Sequence, residues 1–379
     1  MKNLFKVLSI VLFSTLVFSC NQDDDDIING NDSDDNKNLK KGQIEIKGYP
    51  DNDNKMSFIV TATKITIDWG DGSIEELTPN GTESEFVHEY ANQDFQTIKI
   101  NTEVMTSLVL GNGSHYDDDY DIIRGRYNEL RLGDCPDLKN IRCSNQKLTE
   151  LSIKSAPALT WLSCSDNQLT SLDISGCPAL TRLECDDNQI TSLNVSGCPA
   201  LTRLNCSYNK LTSLDVSKCP ALAVLYCYGN QLTSLDVSSC PALTELLCSS
   251  NQLTSLDVSK CPALRWLECS NNQLTSLDVS KCRALTWLYC SGNQLTSLDV
   301  SECPALTVLF CSDNQLTAAS LNSLFSSLPN MLPYVGYIDI YSNPGTFTCD
   351  GTIAEDKGWS VFYNIDDHYQ TPAQHSVLR

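Results

Sequence analysis

From Leu138 to Asn314 the apolar positions return at one interval of 21 residues, with polar positions held between them. One clean copy reads Leu159-x-x-Leu162-x-Cys164-x-x-Asn167-x-Leu169, followed by Leu172, Ile174 and Cys177. The first Leu recurs at 180, 201, 222, 243, 264, 285 and 306, after a degenerate copy that opens at Leu138. Leu162 and Cys164 are two apart, so on a strand both face one side, and that side is the core. Residues 161, 163 and 165 then face out, on the concave side of a stack in which every coil adds one strand to a parallel sheet. Leu172 and Ile174 pack the opposite, convex side. A 21-residue unit cannot hold a strand and a long helix, so the convex side is predicted to be extended or turn-like, with Pro178 and its equivalents opening the return. Repeats of this length signal a solenoid and not a single core.

The pattern changes at both ends. Leu321, Leu324, Phe325 and Leu328 fall at helical spacing and predict about three turns of amphipathic helix. Val335 to Asn343 restores the repeat, with Ile340 in the Cys column and Asn343 in the Asn column. Residues 317–363 therefore read as a C-terminal cap that includes Cys349, Trp359 and Val361, and 364–379 as a polar tail. Before the array, alternation in Gln43–Lys47, Phe58–Ala62, Ile65–Asp68 and Thr97–Ile100 predicts strands over 43–110. Residues 111–137 are a transition, in which Glu129-Leu130-Arg131-Leu132 starts the repeat rhythm after an acidic loop. At the start, Lys2 and Lys6 precede an apolar run from Val7 to Phe18 that is too short to span a membrane as a helix, so 1–19 reads as a signal peptide. Residues 20–42 are rich in Asp and Asn and poor in apolar side chains, the composition of a flexible tether.

One polar column stands inside the apolar pattern. Asn167, Asn188, Asn209, Asn230, Asn251, Asn272, Asn293 and Asn314 hold the same place in their copies, and Gln146 takes it in the first. Buried amides make sense there only if they satisfy turn backbone that lacks other partners.

The net charge of −21 argues against a nucleic-acid partner, which needs Lys and Arg against phosphate. Nineteen cysteines would ordinarily suggest a disulfide scaffold. Here nine stand at 143, 164, 185, 206, 227, 248, 269, 290 and 311, and eight at 135, 177, 198, 219, 240, 261, 282 and 303, with Ala156 filling a gap. A residue that recurs with the fold and is replaced by Ala behaves as a small apolar filler, so buried free thiols are expected. No His lies between 116 and 367, which speaks against a zinc site and against a Ser-His-Asp set in the array. Neither an enzyme nor a cofactor is expected.

The repeat resembles the leucine-rich-repeat family, over more than half the chain, and among its members the bacterial surface-antigen and internalin-like proteins. Asp68-Trp69-Gly70-Asp71-Gly72 with the later His88-x-Tyr90 resembles the PKD-type immunoglobulin-like sandwich, over a span of about 65 residues that is short for that family and fits a truncated or fused version. The resemblance makes His88 a structural strand residue. Val17-Phe18-Ser19-Cys20 resembles a bacterial lipobox, which implies lipidation of Cys20, and Gln22-Asp23-Asp24-Asp25-Asp26 resembles the acidic export tag of surface lipoproteins of certain Gram-negative anaerobes. Together these imply a lipid-anchored protein of the cell surface or outer membrane.

Variation between the copies concentrates at the outward strand positions, while Leu-Thr-Ser-Leu-Asp-Val-Ser on the convex half is nearly fixed. The candidate ligand-binding residues are Trp161, Arg182, Arg203, Tyr226, Tyr228, Trp266, Trp287, Tyr289 and Phe310, since exposed aromatics and arginines are the usual anchors of interfaces. The expected function is adhesion or recognition of a protein on a host or another cell. Capture of a glycan and a plain structural spacer are the alternatives.

Overall fold

The computed structural model describes residues 39–110 and 126–364. The signal-peptide segment, Cys20, the acidic loop 114–121 and nearly all of the tail lie outside the described residues. Among those described, no helix is long and apolar enough to cross a membrane.

The chain opens with β1 (Gln43–Tyr49), β2 (Lys55–Ala62), β3 (Ile65–Asp68), β4 (Ile74–Leu77), β5 (Glu83–Glu89), β6 (Gln96–Thr102), β7 (Met105–Val109) and β8 (Arg126–Asp134). The stack follows as β9 (Asn140–Arg142), β10 (Glu150–Ser155), β11 (Trp161–Ser163), β12 (Arg182–Glu184), β13 (Arg203–Asn205), β14 (Val224–Tyr226), β15 (Glu245–Leu247), β16 (Trp266–Glu268), β17 (Trp287–Tyr289) and β18 (Val308–Phe310). Helix α1 (Ala318–Ser327), β19 (Gly336–Asp339), α2 (Thr352–Glu355) and β20 (Trp359–Phe362) close it. From β11 to β18 each strand pairs in parallel with the strand 21 residues on, as Trp161 opposite Arg182 and Leu162 opposite Leu183. The inward Leu and Cys columns are fully buried, and Leu172 and Ile174 with their equivalents are buried on the other side. Most of the convex return is irregular, as its length requires.

The Asn column does what a buried amide must. Asn188 accepts the N–H of Leu169 at 3.0 Å and donates to the carbonyls of Cys164, Cys185 and Asp186 at 3.0 to 3.2 Å. Each Asn therefore ties its own turn to the preceding coil. The residue just before it holds a positive φ at Asp166, Asp187, Tyr208, Ser250, Asn271 and Asp313, and at Gly229 and Gly292. Left-handed backbone favours Gly, so the non-Gly copies carry strain that the amide bonds offset. Gly229 has a second reason, because a Cβ there would stand 2.6 Å from the Tyr208 ring.

Both cysteine columns are free thiols packed in the core, and Cys349 is free and half-buried. Burial pushes the Cys143 and Cys227 thiols up to about 12 and those of Cys164 and Cys290 well above the usual thiol range.

The N-terminal strands are continuous with the stack. One sheet runs β10-β8-β1-β6-β3-β4, and the other runs from β20 through β9 and on into β7, β2 and β5. Strand β7 pairs in parallel with β9, placing Leu108 beside Ile141, and the Leu110 N–H bonds to the Arg142 carbonyl as the Cys143 N–H bonds to that of Ser163. On the convex side β10 pairs in parallel with β8, placing Leu130 and Leu132 beside Leu151 and Ile153. The segment read as a lead-in thus supplies a strand of the first layer. One apolar core runs from Ile44 to Trp359. The reason is physical: the first coil exposes an apolar layer and a row of unpaired backbone groups, and β7 and β8 cover both.

Within those first layers the Asp68–Gly72 turn is locked to β5. The Trp69 and His88 rings stack at 4.8 Å, His88 Nε2 bonds to Asp71 Oδ2 at 2.8 Å, and the Tyr90 hydroxyl donates to the Trp69 carbonyl at 2.9 Å. His88 thus has a structural role.

At the other end Thr317 caps α1 by accepting the Ser320 N–H, and Leu321, Leu324 and Phe325 are buried. The helix stops before Pro329. Ile340 and Asn343 take the Cys and Asn places: Asn343 accepts the Leu316 N–H and donates to Cys311 and Ile340 carbonyls. The cap holds one strand more than the sequence suggests, because β20 pairs in parallel with β19. Trp359 on it is buried, donating to the Pro329 carbonyl at 2.8 Å.

Candidate functional site

The outward side chains of β9 and of β11 to β20 form one face of the long sheet. Lateral contacts divide it into an ionic half and an aromatic half.

In the ionic half, β9 and β11 to β15, charged side chains and rings pair with one another. Trp161 lies between two guanidinium groups, with Arg142 at 4.0 Å and Arg182 at 4.4 Å from its ring centre. Glu184, 5% exposed, accepts from Arg182 Nη2 at 2.6 Å and from the Trp161 indole at 3.4 Å, and Arg203 stands 3.9 Å away. Arg203 also lies over the Tyr226 ring at 5.0 Å, and the Tyr226 hydroxyl donates to Glu245. Burial, reinforced by that Glu245 bond, drives the Tyr226 phenol well above its usual range. Beside this network, burial lifts the Asp186 carboxyl to about 6, against the opposing hydrogen bond from Ser165. Neighbouring Asp187 and Glu184 add to the rise.

In the aromatic half, β16 to β20, Trp266 and Trp287 meet edge to face at 5.8 Å, and Trp266 meets Tyr289 in the same way at 6.4 Å. Tyr289 and Phe310 stack at 4.7 Å, and Tyr337 and Phe362 at 6.1 Å. Among them Glu268 holds one hydrogen bond, from Ser249 Oγ at 3.1 Å. Burial pushes the Glu268 carboxyl up, and burial together with the Glu268 charge lifts the Tyr289 phenol to about 12.

All nine candidate residues are half-buried, so their expected exposure is corrected. Neighbouring coils lie close enough for long side chains to cover each other. Trp161, Arg182, Arg203 and Tyr226 fall in one connected cluster, and Trp266, Trp287, Tyr289 and Phe310 in another. Tyr228 belongs to neither: it packs edge to face on Tyr208 at 5.0 Å, at the rim where strands turn out of the sheet. The residues that sequence reasoning passed over are Arg142, Glu184, Glu245 and Glu268. They stand in the same variable columns, but a charge at an outward position ordinarily reads as solvated. Tyr337 holds the outward place of the restored copy and was passed over there, and Phe362 was missed because β20 lies beyond the last copy of the repeat. Among the described residues no group of His, Cys, Asp and Glu is placed to hold a metal ion.

Residues 157–197, 199–240 and 283–330 match the family model for Leucine Rich repeats (2 copies). Among solved structures, the chain is similar to the functional domain of InlJ from Listeria monocytogenes, which includes a cysteine ladder. That match has 34% identity over 60% of this chain and 53% of that one, with a TM-score of 0.47. It is also similar to an internalin (inlF) from Listeria monocytogenes, at 19% identity, 68% and 87% coverage and a TM-score of 0.47. A third is the leucine-rich-repeat ectodomain of the Arabidopsis thaliana membrane receptor kinase GASSHO1/SCHENGEN3, at 22% identity, 60% and 30% coverage and a TM-score of 0.49. The chain spans about half the length of the InlJ structure. No curated protein sequence matches it. What the stacked strands, the Asn column and the matched segments establish together is that this chain carries leucine-rich repeats, built as a mostly non-helical β-solenoid of about 11 coils.

Proposed function

We propose that the chain is a cell-surface recognition protein that binds a protein ligand through the concave face, chiefly over β16 to β19. One observation carries this reading. Trp266, Trp287, Tyr289 and Phe310 form a continuous aromatic row over three successive strands of a face whose convex counterpart hardly varies. Such rows supply contact area at low entropic cost and serve as interface anchors.

A protein suits the row better than a sugar. Glycans stack on open ring faces, whereas Tyr289 and Phe310 cover each other and Trp161 is covered on two sides by arginines. The lipobox-like segment ending at Cys20 supports anchorage at the outer membrane, and the Trp69, Asp71, His88 and Tyr90 contacts support a PKD-like origin for the N-terminal layers.

The test is surface plasmon resonance of the lipid-free chain against purified extracellular-matrix proteins, run beside a glycan array. At least one protein is expected to bind, with Kd weakened tenfold or more by Trp287→Ala and by Phe310→Ala while the circular dichroism spectrum is unchanged. Binding that ignores both substitutions would refute the reading, as would a sugar ligand sensitive to them.

A further inference from the structure

Glu184 on β12 and Glu268 on β16 hold the same place in their coils, 84 positions apart. At Glu184 the chain supplies everything a buried carboxylate needs. Arg182 comes from the same strand, Arg203 from the next, and the Trp161 indole from the one before. Shifted by four coils, those three places hold Trp266, Trp287 and Glu245. Glu268 therefore keeps the carboxylate and has no cation. Among the described residues it makes no ion pair, and its hydrogen bond is the one from Ser249. A carboxylate so placed is costly unless paired.

A further observation points to the same spot. Trp161 in the same column as Trp266 gives its indole N–H to Glu184, whereas the Trp266 Nε1 makes no bond to Glu268. The rings of Trp266 and Tyr289 meet edge to face beside Glu268, and ring faces attract cations.

We propose that Glu268 is the seat of an arginine side chain presented by a protein partner, its guanidinium paired with the carboxylate and lying against the Trp266, Trp287 and Tyr289 rings. This rests on the reading of the concave face as a protein-binding surface and names the chemistry it selects. Arginine fits better than lysine because a planar guanidinium pairs and stacks at once. The chain itself uses arginine for this at Arg182 and Arg203, each beside Glu184 and over a ring. A net charge of −21 draws basic partners toward the chain.

The probe is the capped tripeptide acetyl-Gly-Arg-Gly-amide, with citrulline and lysine replacing arginine in two controls, titrated calorimetrically at low salt. Saturable binding of the arginine peptide is expected, at least tenfold tighter than either control. Glu268→Gln, which keeps the side-chain shape, should weaken it tenfold or more. Trp287→Arg places a guanidinium where Arg203 stands beside Glu184, and should block the peptide to the same degree. Glu302→Gln, at an exposed carboxylate paired with Arg283, should bind as the parent does. No binding of the arginine peptide, equal binding of either control, or wild-type binding by Glu268→Gln or Trp287→Arg would overturn the proposal. If Glu268→Gln binds normally while Phe310→Ala still loses its protein ligand, the arginine seat fails and the concave-face reading stands. If both variants behave as wild type, both fail.

Discussion

Removing one rung of the Asn column should cost far more than its size suggests. Asn251 is 8% exposed and sits in the middle of the array. Its Oδ1 accepts the Leu232 N–H at 2.9 Å, and its Nδ2 reaches the carbonyls of Cys227, Cys248 and Ser249 at 3.0, 3.1 and 3.2 Å. Asn251→Ala leaves that N–H without an acceptor, at about 1–3 kcal/mol, and the void adds roughly 1 kcal/mol more. The three carbonyls lose a shared donor but keep other ways to be satisfied, so the total expected is about 2–4 kcal/mol. Asn251→Asp discriminates further. It preserves the acceptor for Leu232 and turns a second oxygen toward three carbonyls, so at neutral pH it should be no more stable than the Ala variant. On acidification a protonated Asp can donate one bond, and part of the loss should return. Urea unfolding at pH 7 and pH 4 measures the difference, and amide exchange at Leu232 reports the local opening. A loss below about 1 kcal/mol for Asn251→Ala, or an Asp variant clearly more stable than Ala at pH 7, would refute the account of the column as an obligatory backbone acceptor and donor.

Two other outcomes follow from buried groups. Asp186 is held up to about 6, so its contribution to stability is complete below the unfolded value of about 4 and is lost as pH rises through 6. The melting temperature should therefore rise on going from pH 7 to pH 4 by an amount worth up to about 3 kcal/mol, a gain that Asp186→Asn abolishes; an unchanged pH profile in that variant would contradict the assignment. The seventeen ladder thiols should resist Ellman's reagent at pH 8 in the native protein and all react after denaturation without reductant, whereas a count near one would mean disulfides.

The candidate site was legible in part. The columns that vary, and the aromatics in them, could be read directly because the convex half of each copy acts as an internal control. Their exposure could not, since whether Trp161 faces solvent depends on Arg142 and Arg182 on the flanking coils. Nor could the difference between Glu184 and Glu268. As letters they are the same residue at the same place; Arg182 on the same strand, with Arg203 and Trp161 on the flanking coils, satisfies one, while the other keeps a single hydrogen bond from Ser249 and no cation.

The array itself was fixed by the sequence alone, down to the place of Ile340 and Asn343, because the 21-residue unit is read many times over and its alternation of two is a local property of a strand. What only the tertiary structure decided is how the array begins. Leu108 on β7 and Leu110 just beyond it continue the concave buried columns, although they come from a segment without the repeat, while Leu130 and Leu132 on β8 continue the convex ones. Nothing in a strand's own pattern says which edge it will join. That choice is made by the exposed apolar layer and unpaired backbone of the first coil, which exist only once the coils have stacked.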